Sequence, residues 1–285
     1  MIFGQTQYPA INTFFSSSSL SLGGAGYLHS DLLSLKNNPA VSNINRLFTT
    51  SIINYKNGIS SQSIGFNLPL KRSNVSSSLK NISYGTFKKY DENKTLQGTY
   101  QSSDSWFTIA YSRKAKSLPL RLGMAYDHLF LSLEDYFFQS YFISLGSEVI
   151  LPKKNTHLGI SINQINFNKS NYNNRYTSPD IVFSIFKSLE HLPLKVYVDL
   201  ISKGKLEIEE IFFGGIFKIK YNFELYIGSS SRKFNQNINN QLLNTVFGAS
   251  GTGISYSKDL TSVKVGTYMY GTGYVITSLQ IDIKF

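Results

Sequence analysis

The fold is decided by the stretch YVITSLQIDIKF, residues 274–285. From Val275 onward every second residue is Val, Thr, Leu, Ile, Ile and Phe, while the residues between them, from Ser278 onward, are Ser, Gln, Asp and Lys. A β-strand turns successive side chains to opposite faces, so this period of two predicts a strand with one apolar and one polar face. Such a strand separates two different surroundings.

The same alternation recurs from Arg46 to Phe285 and predicts about fourteen strands in seven hairpins. Near Asn163-Gln164 the alternation changes phase, which predicts a β-bulge. The apolar faces of further segments are Ile64/Phe66/Leu68/Leu70, Leu120/Leu122/Met124/Tyr126, Ile143/Leu145/Ser147/Val149, Leu194/Val196/Val198/Leu200 and Tyr221/Phe223/Leu225/Ile227.

The connections alternate between short and long. An even number of strands, with short turns at one end and longer loops at the other, is typical of outer-membrane barrels and returns the last strand to the short-turn side. Short connections lie near residues 69–74, 114–119, 152–156, 189–193, 220–222 and 258–260. Longer ones lie near 88–95, 132–135, 168–178, 202–209 and 232–243, with tight turns at Asn57-Gly58 and Gly271–Gly273.

The composition favours the membrane over a soluble barrel or sandwich, which periodicity alone also allows. Charged residues make up 16% of the chain, below the roughly 25% of soluble domains. The polar faces carry Ser, Gly, Asn and Thr, and Tyr and Phe gather near the segment ends, which suits the headgroup level. No run of apolar residues is long enough for a membrane-spanning helix. We expect an all-β transmembrane antiparallel barrel that ends on Phe285, a residue type associated with the barrel insertion signal.

The net charge is +11. The basic residues are scattered as short pairs, among them Lys71-Arg72, Lys153-Lys154 and Arg232-Lys233. Scattered charge is typical of solvated turns, and attraction to anionic lipid or to an acidic partner is the second interpretation. Nucleic acid, which requires clustered cations, is not an expected partner.

Residues 1–45 lack the alternation and form a separate segment before the barrel of residues 46–285. Ser30-Asp31 predicts a cap for a short helix over Leu32–Lys36, which Pro39 would end. We expect this segment to be a small hatch inside the barrel. The first residues lack the basic and apolar regions of a complete signal peptide, and if the protein is exported we expect the numbering to begin inside or just after one.

The hatch segment resembles the opening of the FadL-like and PorV/PorQ family of outer-membrane β-barrels. The residues that carry this resemblance are Gly23, Gly24, Ala25, Gly26, Asp31, Asn38, Pro39 and Ala40. An early hairpin is similar to the PorQ branch through Tyr84, Gly85, Phe87, Gly98 and Asp104, and Leu133–Tyr136 with Leu145-Gly146 continues the similarity. One departure is that Val41-Ser42 stands where the family has an apolar pair.

The resemblance implies a non-enzymatic protein of the type IX secretion system that takes part in protein secretion at the cell surface. Its extracellular loops would anchor a PorZ-like component of the cargo attachment complex, and we expect the loops Lys88–Thr95, Asn168–Ser178 and Arg232–Leu243 to do so. The alternative is a FadL-like transporter of hydrophobic small molecules. Five hatch leucines would then line an apolar pocket rather than pin the hatch to the wall: Leu20, Leu22, Leu32, Leu33 and Leu35.

The chain contains few of the side chains that catalysis, cofactor binding or metal binding require. There are no cysteines, and His29, His128, His157 and His191 are isolated from one another. No Gly-x-Ser-x-Gly elbow occurs. Glu207, Glu209 and Glu210 are interpreted as a solvated loop edge, and the glycines of residues 23–26 lack the context of a phosphate loop. We therefore expect neither an enzyme nor a bound cofactor or metal.

Overall fold

The computed structural model describes residues 13–41, 43–55, 57–91, 93–133, 136–167, 179–204, 207–236 and 246–285. In this part of the chain fourteen strands follow a short N-terminal segment. They are β1 (Leu47–Asn54), β2 (Ser60–Pro69), β3 (Ser73–Tyr90), β4 (Leu96–Lys114), β5 (Leu120–Leu133), β6 (Tyr136–Leu151), β7 (Thr156–Asn166), β8 (Asp180–Ser188), β9 (Leu194–Lys203), β10 (Glu210–Lys220), β11 (Phe223–Ser230), β12 (Ser250–Lys258), β13 (Thr261–Met269) and β14 (Val275–Lys284).

The strands form one closed antiparallel barrel. Each strand pairs with its neighbours in sequence, and β1 pairs with β14 from Leu47–Lys284 to Asn54–Thr277, which closes the sheet. The outward side chains are apolar and exposed, as Phe66 at 47% and Leu68 at 51% show, while inward Ser63 and Asn67 are almost fully buried. A soluble barrel has the opposite arrangement, so this surface is that of a membrane barrel and the predicted fold class is confirmed.

The two ends of the barrel differ as the sequence predicts. The first residue of β1 and the last residue of β14 lie at the end of the barrel that carries the short turns. Tyr221-Asn222 and Asp259-Leu260 are two of these turns. The predicted bulge in β7 is also present: Gln164 has φ 62°, and the ladder to β6 shifts register between Ile143 and Leu145. None of the helices in the described ranges is long and apolar enough to cross a bilayer.

Strands β3 to β6 extend past their neighbours at the end opposite the short turns. The ladder between β2 and β3 stops at Ser60–Ser83, yet β3 continues to Tyr90. Strand β4 has 19 residues, against the 9–11 or so that span a bilayer. Beyond Asn166 of β7, β6 pairs with β5 alone. We call this extension the wing, residues 84–91, 93–102, 131–133 and 136–138.

The predicted loop Lys88–Thr95 is shorter than expected, because Lys88 and Lys89 pair with Thr99 and Gly98 and belong to the wing hairpin. Of the other two predicted loops, residues 168–178 lie outside the described part of the chain. Arg232–Gln236 forms a short helix, and residues 237–243 are not described.

Candidate functional site: the hatch and the lumen wall

The N-terminal segment lies inside the barrel, and we call residues 13–41 the hatch. A helix, α1 (Ser17–Ser21), contacts strands β11 to β14 and β1, while a 3-10 turn over Leu32–Ser34 contacts β2 and β3. This turn is shorter than the helix predicted over Leu32–Lys36. Asn37 N–H donates to Ser34 O, so the chain continues in i→i+3 turns instead of α-helical ones. Residues 1–12 and 42 lie outside the described part.

The hatch glycines singled out from the sequence occupy conformations that a side chain would strain. Gly23, Gly24 and Gly26 have φ of +65°, +93° and +97°. A Cβ on Gly23 would lie 2.6 Å from the backbone carbonyl carbon of Gly228, and one on Gly24 would lie 2.8 Å from the Phe212 ring. These positions therefore place the hatch backbone directly against β10 and β11.

Glycines of the barrel wall also lie in direct contact with the hatch. A Cβ on Gly228 would overlap the Leu22 carbonyl, one on Gly251 the Leu20 carbonyl, and one on Gly123 the Pro39 carbonyl. Further hatch contacts would obstruct a Cβ at the inward glycines Gly65, Gly146, Gly159, Gly214, Gly253 and Gly266. The missing side chains leave the space in which the hatch backbone lies.

Asn38, Pro39 and Ala40 lie where the hatch crosses β5 and β6. The Asn38 side chain accepts a hydrogen bond from Ala40 N–H (3.0 Å) and donates one to the Ser147 carbonyl (3.1 Å). The preceding residue, Asn37, accepts at its carbonyl from Ser161 Oγ, 2.8 Å away. This segment is therefore tied to β6 and β7 by polar contacts.

Asp31 caps the 3-10 turn and joins it to α1. Its carboxylate accepts from Leu33 N–H (3.3 Å), from Ser34 Oγ (3.0 Å) and from Ser16 Oγ. Burial raises the pKa of this carboxyl, although the hydroxyl donors oppose the shift. Its contacts make it a structural link within the hatch.

A second carboxylate ties the hatch to β9. Asp199 Oδ2 accepts from the backbone N–H of Gly26 (2.7 Å) and of Tyr27 (3.4 Å). His29 of the hatch also contacts β9, with Nδ1 3.2 Å from the Tyr197 hydroxyl. Burial lowers the pKa of His29 to about 3, so its ring is neutral at physiological pH.

The third link is a partly buried ion pair next to α1, with 14% of the Lys264 side chain and 13% of the Asp282 side chain exposed. Lys264 Nζ on β13 lies 2.9 Å from Asp282 Oδ2 on β14 and donates to Ser18 Oγ of the helix at 3.0 Å. Gln280 Oε1 accepts from Ser17 N–H at 3.0 Å. Since lone buried charges are costly, this pair needs both partners to stay in place.

An apolar cluster lines the lumen wall of β3 to β6. Trp106 stacks on Phe142 with 5.6 Å between ring centroids, and Phe15 of the hatch packs edge-on against Trp106. The Trp106 Nε1–H donates to Asp127, which satisfies its polar atom. The cluster comprises Phe15, Leu33, Ile82, Trp106, Leu129 and Phe142.

Two lysines flank the hatch end of this cluster. Lys36 Nζ lies 4.2 Å from the Phe15 ring centroid and Lys80 Nζ lies 4.0 Å from it. Lys80 also donates to Thr13 Oγ1 and to the Phe14 carbonyl, both at 2.6 Å. Burial lowers the pKa of Lys36 to about 8. The N-terminal part of the hatch is thus held through aromatic faces and a wall cation.

A cavity of about 80 Å³ separates the hatch from the wall near β9, β10 and α2 (Arg232–Gln236). Phe15, Tyr27 and Lys36 line it from the hatch. On the wall side Glu210 accepts from Arg232 at 2.7 Å and from Lys203 at 3.2 Å. Glu210 therefore lies in an ion-pair network, whereas the sequence had placed it with Glu207 and Glu209 on a solvated loop edge.

The five hatch leucines, which the transport interpretation predicts to line an apolar pocket, are all buried against the wall. Leu22 fits beside Gly214 and Gly228, while Leu32 and Leu33 lie over Gly65. Leu20 packs with Ile53 and Ile276, and Leu35 with Leu47. Their packing holds the hatch to the wall.

The hairpin residues singled out from the sequence lie together on the wing and at its base. The Tyr84 hydroxyl donates to Asp104 Oδ2 at 2.6 Å, across the ladder from β3 to β4. Gly85 has φ +89° where this ladder shifts register between Ser83 and Thr86. Phe87 stacks on Tyr100 with 5.4 Å between centroids, and Gly98, with φ +143°, adjoins the second shift.

Phe285 and the histidines take no part in the hatch contacts, except for His29. Phe285 is 61% exposed, and its N–H donates to the Arg46 carbonyl. His128 is on the opposite face of β5 from buried Asp127, as expected for adjacent strand residues. His157 contacts Glu148 at the short-turn end. Across the described ranges no three or more His, Asp or Glu residues group as metal ligands would.

Sequence reasoning missed the wall glycines, the Lys264–Asp282 pair and the Trp106 cluster. A signal for the glycines exists: Gly65, Gly123 and Gly146 each lie between two lipid-facing residues and therefore in the inward phase. The Trp106 cluster has no such signal, because its members are far apart in sequence, whereas Lys264 and Asp282 are neighbours across the β13–β14 hairpin.

Comparison with known proteins gives the fold and no close relative. No family model matches the chain, and no curated protein does so significantly. Among solved structures, the toluene transporter TodX of P. putida shares 10% identity over 95% of this chain and 98% of its own, with a TM-score of 0.59. A Pseudomonas aeruginosa FadL homologue shares 9% identity over 96% and 99%, with a TM-score of 0.55. The chain therefore shares the fold of FadL-like outer-membrane barrels.

Proposed function

We propose that the protein is an outer-membrane channel for small hydrophobic molecules and that the hatch is its gate. The observation that carries this proposal is the Trp106 cluster, one of several apolar clusters between the hatch and a lumen wall that also carries many polar side chains. Wall residues Trp106, Leu129 and Phe142 are covered by Phe15 and Leu33 of the hatch. A displaced hatch would expose an apolar surface within the barrel, on which a hydrophobic molecule could bind.

Passage requires such a displacement. The cavity beside the hatch measures about 80 Å³, less than the roughly 150 Å³ of an apolar cavity that holds benzene. The names of the two structural neighbours, a toluene transporter and a FadL homologue, agree with a hydrophobic solute, although at this identity they support the fold and not the substrate.

The test is solute uptake by a bacterial host that lacks its own hydrophobic channels. Cells that carry the folded barrel are expected to take up radiolabelled toluene and oleate several times faster than cells with an empty vector. Glucose uptake, as the polar control, should not change. If the folded barrel is present in the outer membrane and both apolar solutes enter at the empty-vector rate, the transport proposal is wrong.

A second function, the anchoring of a surface protein, is favoured by the wing. Its strands carry exposed apolar side chains, including Phe137 at 77% and Tyr136 at 65% exposure. With short turns in the periplasm, the wing projects from the cell surface. We propose the type IX anchoring role, with a PorZ-like partner, as the specific form of this second function.

Detergent extraction of tagged protein from native membranes, followed by mass spectrometry, tests the anchoring function. A secretion-system surface protein should co-purify with the barrel and should be lost from the variant Tyr136→Ser/Phe137→Ser. Recovery of the barrel without any such partner would contradict anchoring and would leave the transport proposal intact.

A further inference from the structure

The basic residues are concentrated at the short-turn end. In the described part of the chain, each of the six short turns has a lysine within two residues. At the same end, Arg46 precedes the first residue of β1, and Lys284 is the last residue of β14. These turn lysines include Lys71, Lys116, Lys153, Lys187, Lys220 and Lys258. The positive charge of the chain therefore forms a rim at the end that faces the periplasm in outer-membrane barrels.

One groove on the outer surface of this rim combines cations with apolar side chains. It measures about 400 Å³ and lies on the β4–β5 hairpin, where outward-facing Tyr111 pairs with Met124 and Arg113 with Leu122. Arg72, Lys114 and Lys116 complete its border. All of these side chains are exposed.

Within the described part of the chain, the cations of the groove have no ion-pair partner. Neighbouring Arg121 is paired with Glu148 at 2.7 Å. By contrast, Arg72, Arg113, Lys114 and Lys116 form no ion pair in the ranges that the structure describes, and no carboxylate lines the groove. Four like charges around one groove are favourable when an anion lies between them.

We propose that this groove binds an anionic phospholipid of the periplasmic leaflet. The headgroup phosphate would lie among Arg72, Arg113 and the two turn lysines, since guanidinium groups bind phosphate through paired N–H donors. The acyl chains would lie along Tyr111, Leu122 and Met124, on the lipid-facing surface of the strands. Free phosphate would leave these apolar residues unused, and an acidic soluble protein could not reach strand residues that the bilayer covers.

The test is native mass spectrometry of the delipidated, refolded barrel in micelles that contain either phosphatidylglycerol or phosphatidylcholine. The unmodified protein should retain phosphatidylglycerol in preference to phosphatidylcholine. Arg72→Gln/Arg113→Gln should weaken this retention on the order of tenfold or more, in line with the contribution of cations near anionic lipid. Lys153→Gln/Lys154→Gln, the same loss of charge in another short turn, is the matched control and should retain the lipid.

Three outcomes would overturn the proposal. Equal retention of the two lipids would exclude a headgroup site. Equal losses in the two variants would indicate general attraction to the rim, and displacement of the lipid by millimolar inorganic phosphate or by an acidic peptide would indicate a soluble ligand. If the arginine variant does not fold, Lys114→Gln/Lys116→Gln provides the same comparison. The proposal depends on the barrel architecture and is independent of hatch opening.

Discussion

Leu22 of the hatch points its backbone carbonyl at Gly228 of β11, into the space that a side chain at position 228 would occupy. The same relationship links Leu20 to Gly251 and Pro39 to Gly123, on other parts of the wall. The hatch therefore fits the wall through backbone surfaces, and its position depends on residues that have no side chain.

A methyl group at Gly228 is expected to displace the hatch. Gly228→Ala should lower the free energy of unfolding by about 1–3 kcal/mol, the usual cost of overpacking. Gly215→Ala on β10 is the control, because its Cβ would contact the side chain of Leu194 at 3.3 Å and no hatch atom. Urea unfolding in detergent measures both, and equal stability of the two variants would contradict the fit.

The Lys264–Asp282 pair is expected to hold α1 in place. Lys264→Met leaves the partly buried Asp282 carboxylate without its cation and should destabilise the barrel by about 1–3 kcal/mol. The double variant Lys264→Met/Asp282→Leu should recover much of this loss. A double variant less stable than the single one would show that the pair is not coupled in this way.

Asn38 is expected to matter for folding. Asn38→Ala removes the hydrogen bonds to Ala40 N–H and to the Ser147 carbonyl, and buried groups left without partners cost about 1–3 kcal/mol each. The replacement of both Asn38 and Pro39 by Ala should therefore lower the yield of folded barrel. Heat-modifiable mobility on a gel reports this yield, and an unchanged yield would exclude a structural role for the motif.

Lys36 gives the stability a pH dependence. Its pKa is lowered from 10.5 to about 8 by burial, so between these values the unfolded chain holds a proton that the folded chain has released. Stability then rises with pH in this window, relative to a chain without the group. The free energy of unfolding of the unmodified protein should therefore rise relative to that of Lys36→Met between pH 8 and pH 10.5. Below pH 8 the difference between the two proteins should stay constant. A difference that is constant at every pH would contradict the burial of this amine.

The barrel could be predicted from the sequence because apolar and polar residues alternate within each strand. Residues such as Ile64, Phe66 and Leu68 face lipid, and the bulge at Gln164 interrupts the same phase, so local pattern was sufficient. The sequence pattern underestimates the length of β3, because Lys88 and Lys89 are polar and the pattern predicts a loop there. Outside the bilayer a strand needs no apolar face, so the pattern does not mark the wing.

The contacts of the hatch could not be predicted in this way. Ser17 and Gln280 are separated by most of the chain, and their pairing follows from closure of the barrel around the segment. The ion pair of Lys264 and Asp282 joins neighbouring strands of one hairpin, and its contact with Ser18 of the hatch depends on the same closure. Period-two alternation shows that these residues face inward and does not show which hatch atom each one contacts.

The most direct test of the gating claim is a reversible lock between the hatch and the wall. Ser17 Oγ and Ser278 Oγ are 3.0 Å apart, and the chain has no cysteine of its own, so Ser17→Cys/Ser278→Cys places one disulfide between α1 and β14. Ser257→Cys/Ser262→Cys, with hydroxyls 3.1 Å apart on β12 and β13, is the control, since it locks the wall to itself. If the hatch moves during transport, oxidation should abolish toluene uptake through the Ser17→Cys/Ser278→Cys variant, and reduction should restore it. Oxidation should leave toluene uptake through the control variant unchanged. Uptake that continues at the full rate through the oxidised hatch lock would contradict the account.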